Sequence, residues 1–163
     1  MGLNKSTVKN EYLAQQWFRS IHDLPFGIHT SLDELPSYRI VYFNSQAATV
    51  NETMADNATV GYAATTDATT NVAGITKFGY EQGDDANITY LPGFNRDRNC
   101  TVTLLGSMIV EVAPGTAITV GTELGSDAVG RATAAGGTGF IALGACAGNG
   151  TAEKPEYITA LVR

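Results

Sequence analysis

Residues 100–120 read Cys100-Thr-Val-Thr-Leu104-Leu-Gly-Ser-Met108-Ile-Val-Glu-Val112-Ala-Pro114-Gly115-Thr-Ala117-Ile-Thr-Val120, and this stretch decides the fold class. Small or polar residues alternate with apolar ones over 100–104, the period of a half-buried strand. Met108–Val112 is a second strand of β-branched and apolar residues. Pro114-Gly115 then marks a turn, because Pro presets one backbone angle and Gly tolerates the left-handed one. A third strand, Ala117–Val120, ends at Gly121.

The same cadence runs outward in both directions. Downstream, Gly139–Leu143 and Tyr157–Val162 read as strands, with turn signals at Asp127, Gly136-Gly137 and Asn149-Gly150. Upstream, Tyr38–Phe43, Ala58–Tyr62 and Asn87–Leu91 read as strands, the last followed by Pro92-Gly93. Strands at the ~8–12-residue spacing of sandwiches and barrels predict an all-β fold. The expected form is an antiparallel β-sandwich or small barrel, jelly-roll-like. No helical pattern alternates with the strands, which argues against a βαβ sheet. The Thr- and Ala-rich segment 45–73 reads either as low-complexity loop or as an exposed β surface. Thr suits the latter, since its branched side chain fits a pleat and its hydroxyl stays wet.

The chain changes character near residue 44. Residues 1–44 hold the sole Trp, both His and balanced charges: Lys5, Lys9, Arg19 and Arg39 against Glu11, Asp23, Asp33 and Glu34. The remainder carries the whole net charge of −6 and most of the 18 Gly. The reading is an N-terminal arm and connector over 1–37, followed by a β-rich body over 38–163. In the arm, Val8, Tyr12, Leu13, Trp17, Phe18 and Ile21 fall at helical spacing, with Ser6 or Thr7 as N-cap. A short amphipathic helix over 7–21 is expected. Pro25 and Pro36 disfavour α geometry in the residues before them, so 22–37 is expected to be an irregular connector.

Charge and composition exclude several functions. Sixteen acidic against ten basic residues is the wrong sign for a protein that coats nucleic acid. No apolar run is long enough for a spanning helix, and the first residues have no signal-peptide core. Two Cys make no disulfide scaffold. Cys100 and Cys146 pair only if their Cα atoms lie within ~7 Å; otherwise they are two small buried thiols.

Chemical motifs fail on context. His22 and His29 lack the partners of a metal site. Gly137-Thr-Gly139-Phe-Ile-Ala142 matches G-x-G-x-x-A, but the dinucleotide fingerprint needs a strand before it and a helix after it. Here a strand follows, so the loop reads as a hairpin turn. Asp84-Asp85 lacks the ligand spacing of a calcium loop. Six N-x-S/T matches, at Asn4, Asn51, Asn57, Asn87, Asn99 and Asn149, fit a Thr-rich β protein without a secretion signal. A lipoyl-type domain needs Lys at a hairpin tip, and Asn99–Gly130 has neither Lys nor Arg. No enzyme activity, metal or cofactor is expected.

Residues 106–145 read Gly106-Ser-Met-Ile-Val-Glu-Val112, Pro114-Gly115-Thr-Ala-Ile-Thr-Val120-Gly121, Leu124, Asp127, Gly130-Arg131-Ala132 and Leu143-Gly144-Ala145. This cadence resembles the capsid decoration, or cement, proteins of tailed bacteriophages. Ala73-Gly74-Ile75 and Tyr90-Leu-Pro-Gly93 extend the likeness to about residues 73–163. The resemblance implies a virion structural protein on the outer capsid surface, made in the host cytoplasm. Its partners would be the major capsid protein, whose neighbouring subunits it bridges, and copies of itself, as a trimer in preference to a dimer. Nucleic acid and membrane are not among them. The arm is the natural strap, with Val8, Tyr12, Leu13, Trp17, Phe18, Ile21 and Phe26 as candidate capsid or inter-subunit contacts; otherwise the arm covers an open end of its own barrel. A tail- or fibre-associated β adhesion module is the competing class, disfavoured by the lack of internal repeats and of Trp after residue 17.

Overall fold

The structure, a computed structural model, describes residues 20–28, 32, 34–44, 59–65, 68–79 and 99–163. Among these, the regular elements are strands: β1 Ser20–Ile28, β2 Ile40–Asn44, β3 Thr59–Gly61, β4 Ala68–Phe78 and β5 Asn99–Glu111. Short β6 Ala117–Ile118, β7 Gly125–Ser126, β8 Ala132–Thr133, β9 Ile141–Ala142 and β10 Cys146–Ala147 follow, then β11 Tyr157–Val162.

The main sheet runs β1-β3-β2-β4-β5-β11-β9, and β1 also pairs with β5. The first five strands therefore close on themselves as a small barrel, which removes the open edges an isolated sheet would expose. All pairings are antiparallel except β1 with β3, which meet in parallel at Gly27–Thr59 and Ile28–Val60. Strand β5 is long enough to leave the barrel. Its first half pairs with β1 and β4, and its second half pairs with β11. The β6–β10 and β7–β8 pairs complete a C-terminal module.

Two apolar clusters follow from this sharing of strands. Ile28, Leu35, Val41, Val60, Ala73, Cys100 and Val102 form the barrel cluster. Ile40, Ile75, Met108, Val110, Val112, Ile118, Leu124, Phe140, Ile158, Ala160 and others form the second. Successive side chains on a strand point to opposite faces. Ile40 and Val41 are both fully buried because they serve different clusters. One face of β2 lines the barrel and the other is roofed by the C-terminal module. Ala73 and Ile75 divide in the same way on β4, across a register irregularity at Val41/Tyr42.

Gly106 reverses the faces of β5. Before it, Cys100 and Val102 point into the barrel; beyond it, Met108, Val110 and Val112 enter the second cluster. Thr103 and Met108 are of opposite parity, yet Thr103 Oγ1 lies 3.5 Å from Met108 Sδ. That contact requires an irregularity between them. Gly106 supplies it with φ 116°, a backbone angle that costs Gly little.

The all-β expectation holds, with corrections at the N-terminal side. Residues 20 and 21, expected to end a helix, are in β1; residues 7–19 lie outside the described residues. Segment 22–37, expected to be irregular, begins with β1. Pro25 does force extended backbone, and that backbone is a strand. Leu24, Phe26 and Ile28 carry the alternation. Among the described residues, only one flank of β1 has a partner strand at Pro25, since β3 pairs with β1 at Gly27 and Ile28. Such an edge position tolerates a missing N–H. Within 45–73, the β reading is the correct one for 59–61 and from Ala68 onward. The strands expected at 100–104 and 108–112 are one continuous β5. The strand expected at 87–91 lies outside the described residues.

Candidate functional site

A cluster of charged and hydroxyl side chains, Tyr38, Arg39, Thr76, Glu111 and Tyr157, lies on the seam between barrel and C-terminal module. Its centre is the approach to β2. Tyr38 is the one non-Gly residue with left-handed backbone among those described, at φ 68°, a conformation that costs energy unless its surroundings fix it. They do: Tyr38 N donates to Thr76 O at 2.7 Å, and Tyr38 O accepts from Glu111 N at 3.0 Å. The Tyr38 ring meets Tyr157 edge-on at 5.9 Å. Thr76, fully buried, binds the same approach through its hydroxyl, which accepts from Arg39 N at 2.9 Å and donates to Pro36 O at 2.8 Å.

Arg39 and Glu111 face each other across this seam. Arg39 Nη1 lies 2.8 Å from Glu111 Oε1, a close ion pair without hydrogen-bond alignment. The Tyr157 hydroxyl donates to Glu111 Oε2 at 3.0 Å. Burial pushes the Tyr157 phenol well above its ordinary range, and the Glu111 charge pushes the same way. Tyr38 and Tyr62 are raised as well, both chiefly by burial, with Arg39 working against the shift at Tyr62. The Tyr157 hydroxyl stays a protonated donor, the state in which it bonds the Glu111 carboxylate.

A turn from the module clamps the start of β2. Asp127 Oδ1 accepts from Val129 N at 3.0 Å and Arg131 N at 2.8 Å, while Oδ2 accepts from Arg131 Nε at 2.7 Å. This fixes Gly130, at φ +76°, so that its carbonyl accepts from Ile40 N at 2.7 Å. A Cβ on Gly130 would stand 2.6 Å from Ile40 O, so the close approach also demands Gly. On the far side of β4, Lys77 Nζ pairs with Asp23 Oδ2 at 2.7 Å, and the Thr103 hydroxyl donates to Asp23 Oδ1 at 2.8 Å, tying β1, β4 and β5.

The G-x-G-x-x-A loop has a partner that the sequence did not announce. Gly136, Gly137 and Gly139 all have positive φ. The amides of Gly137 and Gly139 both donate to Glu123 Oε1, at 3.0 and 3.2 Å. Between them, Thr138 turns inward: its N–H and hydroxyl both donate to Leu124 O. Strand β9 follows the loop, and Glu123 and Ile141 are bridged across it, so the helix that a dinucleotide loop needs is not there.

The expected contact residues fall into two groups. Val8, Tyr12, Leu13, Trp17 and Phe18 lie outside the described residues. Ile21 is in β1. Phe26 packs edge-on against Phe43 at 5.8 Å, within the barrel cluster. His22 is exposed and paired in register with Leu105; His29 and Asp84-Asp85 lie outside the described residues. Cys100 and Cys146 are both free. Burial pushes the Cys100 thiol up to about 12. Among the described residues, no three His, Cys, Asp or Glu side chains gather as a metal site would require. Arg39, Tyr157 and Glu123 were missed in the sequence because ordinary spacing hides cross-strand partners. Glu111 did leave a signal, as the one charge inside an apolar strand.

No protein-family model matches the chain. No curated protein matches it. Among solved structures, the chain is similar to the head fiber gp8.5 N base of bacteriophage phi29. The likeness is at 13% identity with a TM-score of 0.49, over 87% of this chain and 95% of that one.

Proposed function

We propose that this chain is a non-enzymatic phage virion structural protein that binds the outside of a capsid and bridges neighbouring major capsid subunits. One observation carries the reading. The segment with the decoration-protein cadence, residues 106–145, lies in the C-terminal module together with β10 and β11, and its Gly130 turn ties that module to the barrel: Gly130 O receives Ile40 N at 2.7 Å. A brace must pass load from one attachment point to another without opening. Here two cores share β2, β4 and β5, and buried ionic and backbone bonds cross the seam between them. The acidic and basic groups of the seam hold strands together, which supports a structural role.

The arm is the proposed strap. Ile21 and Phe26 belong to β1 of the barrel, which leaves Val8, Tyr12, Leu13, Trp17 and Phe18 as the strap's contact residues. Each copy need bind only weakly, since neighbouring contacts on one lattice raise each other's effective concentration. Fully burying one large apolar side chain contributes ~1.5–3 kcal/mol, and Trp is a favoured hot-spot residue. Co-sedimentation of the chain with capsid shells tests this. Trp17→Ala is expected to weaken shell binding by on the order of 2 kcal/mol while leaving the melting temperature of the free protein nearly unchanged. Lowered melting with shell binding intact would assign Trp17 to the protein's own core.

A further inference from the structure

We propose that the Gly136–Gly139 loop is a carboxylate-binding site which the chain's own Glu123 fills. This goes beyond the capsid reading and does not rest on it. The loop presents two amide donors, Gly137 and Gly139, to a single oxygen, Glu123 Oε1. Convergent backbone N–H groups of this kind form anion-binding concavities. The geometry is built for it: all three glycines hold positive φ, and beside Gly137 and Gly139 there is open space where a Cβ would stand.

Two further features favour an anion here. Thr138 anchors the loop by donating twice to Leu124 O, so the donors are held in place without help from Glu123. The Arg163 guanidinium also sits on the loop, with Nε donating to Gly139 O at 2.8 Å. That places a positive charge on the same short segment. Glu123, Gly137 and Arg163 are all solvent-exposed. The Glu123 side chain can rotate out without disturbing the core, and its bridge to Ile141 is a backbone contact. The arrangement is an occupied site with a removable occupant, and the class of ligand it takes is a carboxylate group from outside.

Acetate titrations of the full chain test this, at constant ionic strength with chloride as the balancing anion, read by amide nuclear magnetic resonance. In Glu123→Ala, the Gly137 and Gly139 amides are expected to shift saturably with acetate, and acetate is expected to raise the melting temperature. The native chain is expected to need at least tenfold more acetate for the same shift. Arg163→Gln in the Glu123→Ala background is expected to weaken the response. If Glu123→Ala does not fold, Glu123→Gln replaces it, because a neutral acceptor competes less well than a carboxylate. Glycine amides that stay still in the variant, or that move equally in the native chain, would overturn the proposal.

Discussion

Arg39 Nη1 lies 2.8 Å from Glu111 Oε1, with only 13% and 12% of the two side chains exposed, and the pair joins the approach to β2 to the end of β5. Two charges removed from water at a seam are stable only as a pair. Glu111→Ala removes the carboxylate that faces Arg39 and accepts from the Tyr157 hydroxyl. Removing one partner of a buried pair costs about 3–5 kcal/mol. Urea denaturation is expected to show that loss, while the double change Arg39→Met with Glu111→Leu stays much closer to the native protein.

Asp127 sets an acid limit on stability. Burial acts to raise its pKa, but the Arg131 N–H, the Arg131 guanidinium and the Val129 N–H outweigh it. The carboxyl therefore titrates below its ordinary 3.8. A depressed carboxyl contributes stability that is fully present above the unfolded value and is lost as pH falls through the folded one. Denaturation midpoints are expected to drop below about pH 4 in the native chain. Asp127→Asn is expected to be less stable near neutrality and to show a shallower acid limb.

The two thiols are expected to differ in reactivity. Cys100 is 3% exposed and its thiol is pushed up to about 12, so it carries almost no thiolate at neutral pH. Cys146 is only half-buried, with Sγ 3.5 Å from Thr116 O. An alkylating reagent followed by peptide mass analysis is expected to label Cys146 in the folded protein and Cys100 only after unfolding. Because the Cys100 pKa is raised, its stabilising contribution is present below the unfolded value of about 9 and lost as pH rises towards about 12.

The sequence made the strands of the C-terminal half legible, because Tyr157–Val162 and Met108–Val112 carry their own alternation and turns. It did not make β1 legible, because Pro25 weighed as a breaker while Leu24, Phe26 and Ile28 alternated around it. Nor did it distinguish the two cores. Ile40-Val41 is a plain apolar pair on paper; only the module lying across β2 makes both residues interior. Cross-strand partnerships such as Arg39 with Glu111 span more than seventy positions and have no local signature. Glu123 could have been suspected from the Gly-rich loop, since donors aimed at one point need an acceptor.

Gly130 tests the clamp between module and barrel. Its φ of +76° strains any L side chain, and an added Cβ would press on Ile40 O at 2.6 Å. Gly130→Ala is expected to destabilise by more than the ~1 kcal/mol of an ordinary Gly-to-Ala mismatch in the left-handed region. Hydrogen exchange is expected to show faster exchange at Ile40 N–H, whose acceptor is Gly130 O. Gly137→Ala, with open space around it, is expected to show only the backbone strain.

The central claim is a capsid-bracing role, and electron cryomicroscopy of capsid shells saturated with the full chain tests it most directly. Density for the β body is expected on the outer surface, at a fixed ratio to the major capsid protein, with each copy touching more than one subunit. A chain that stays in solution at saturating concentration, or density confined to the tail or its fibres, would contradict it.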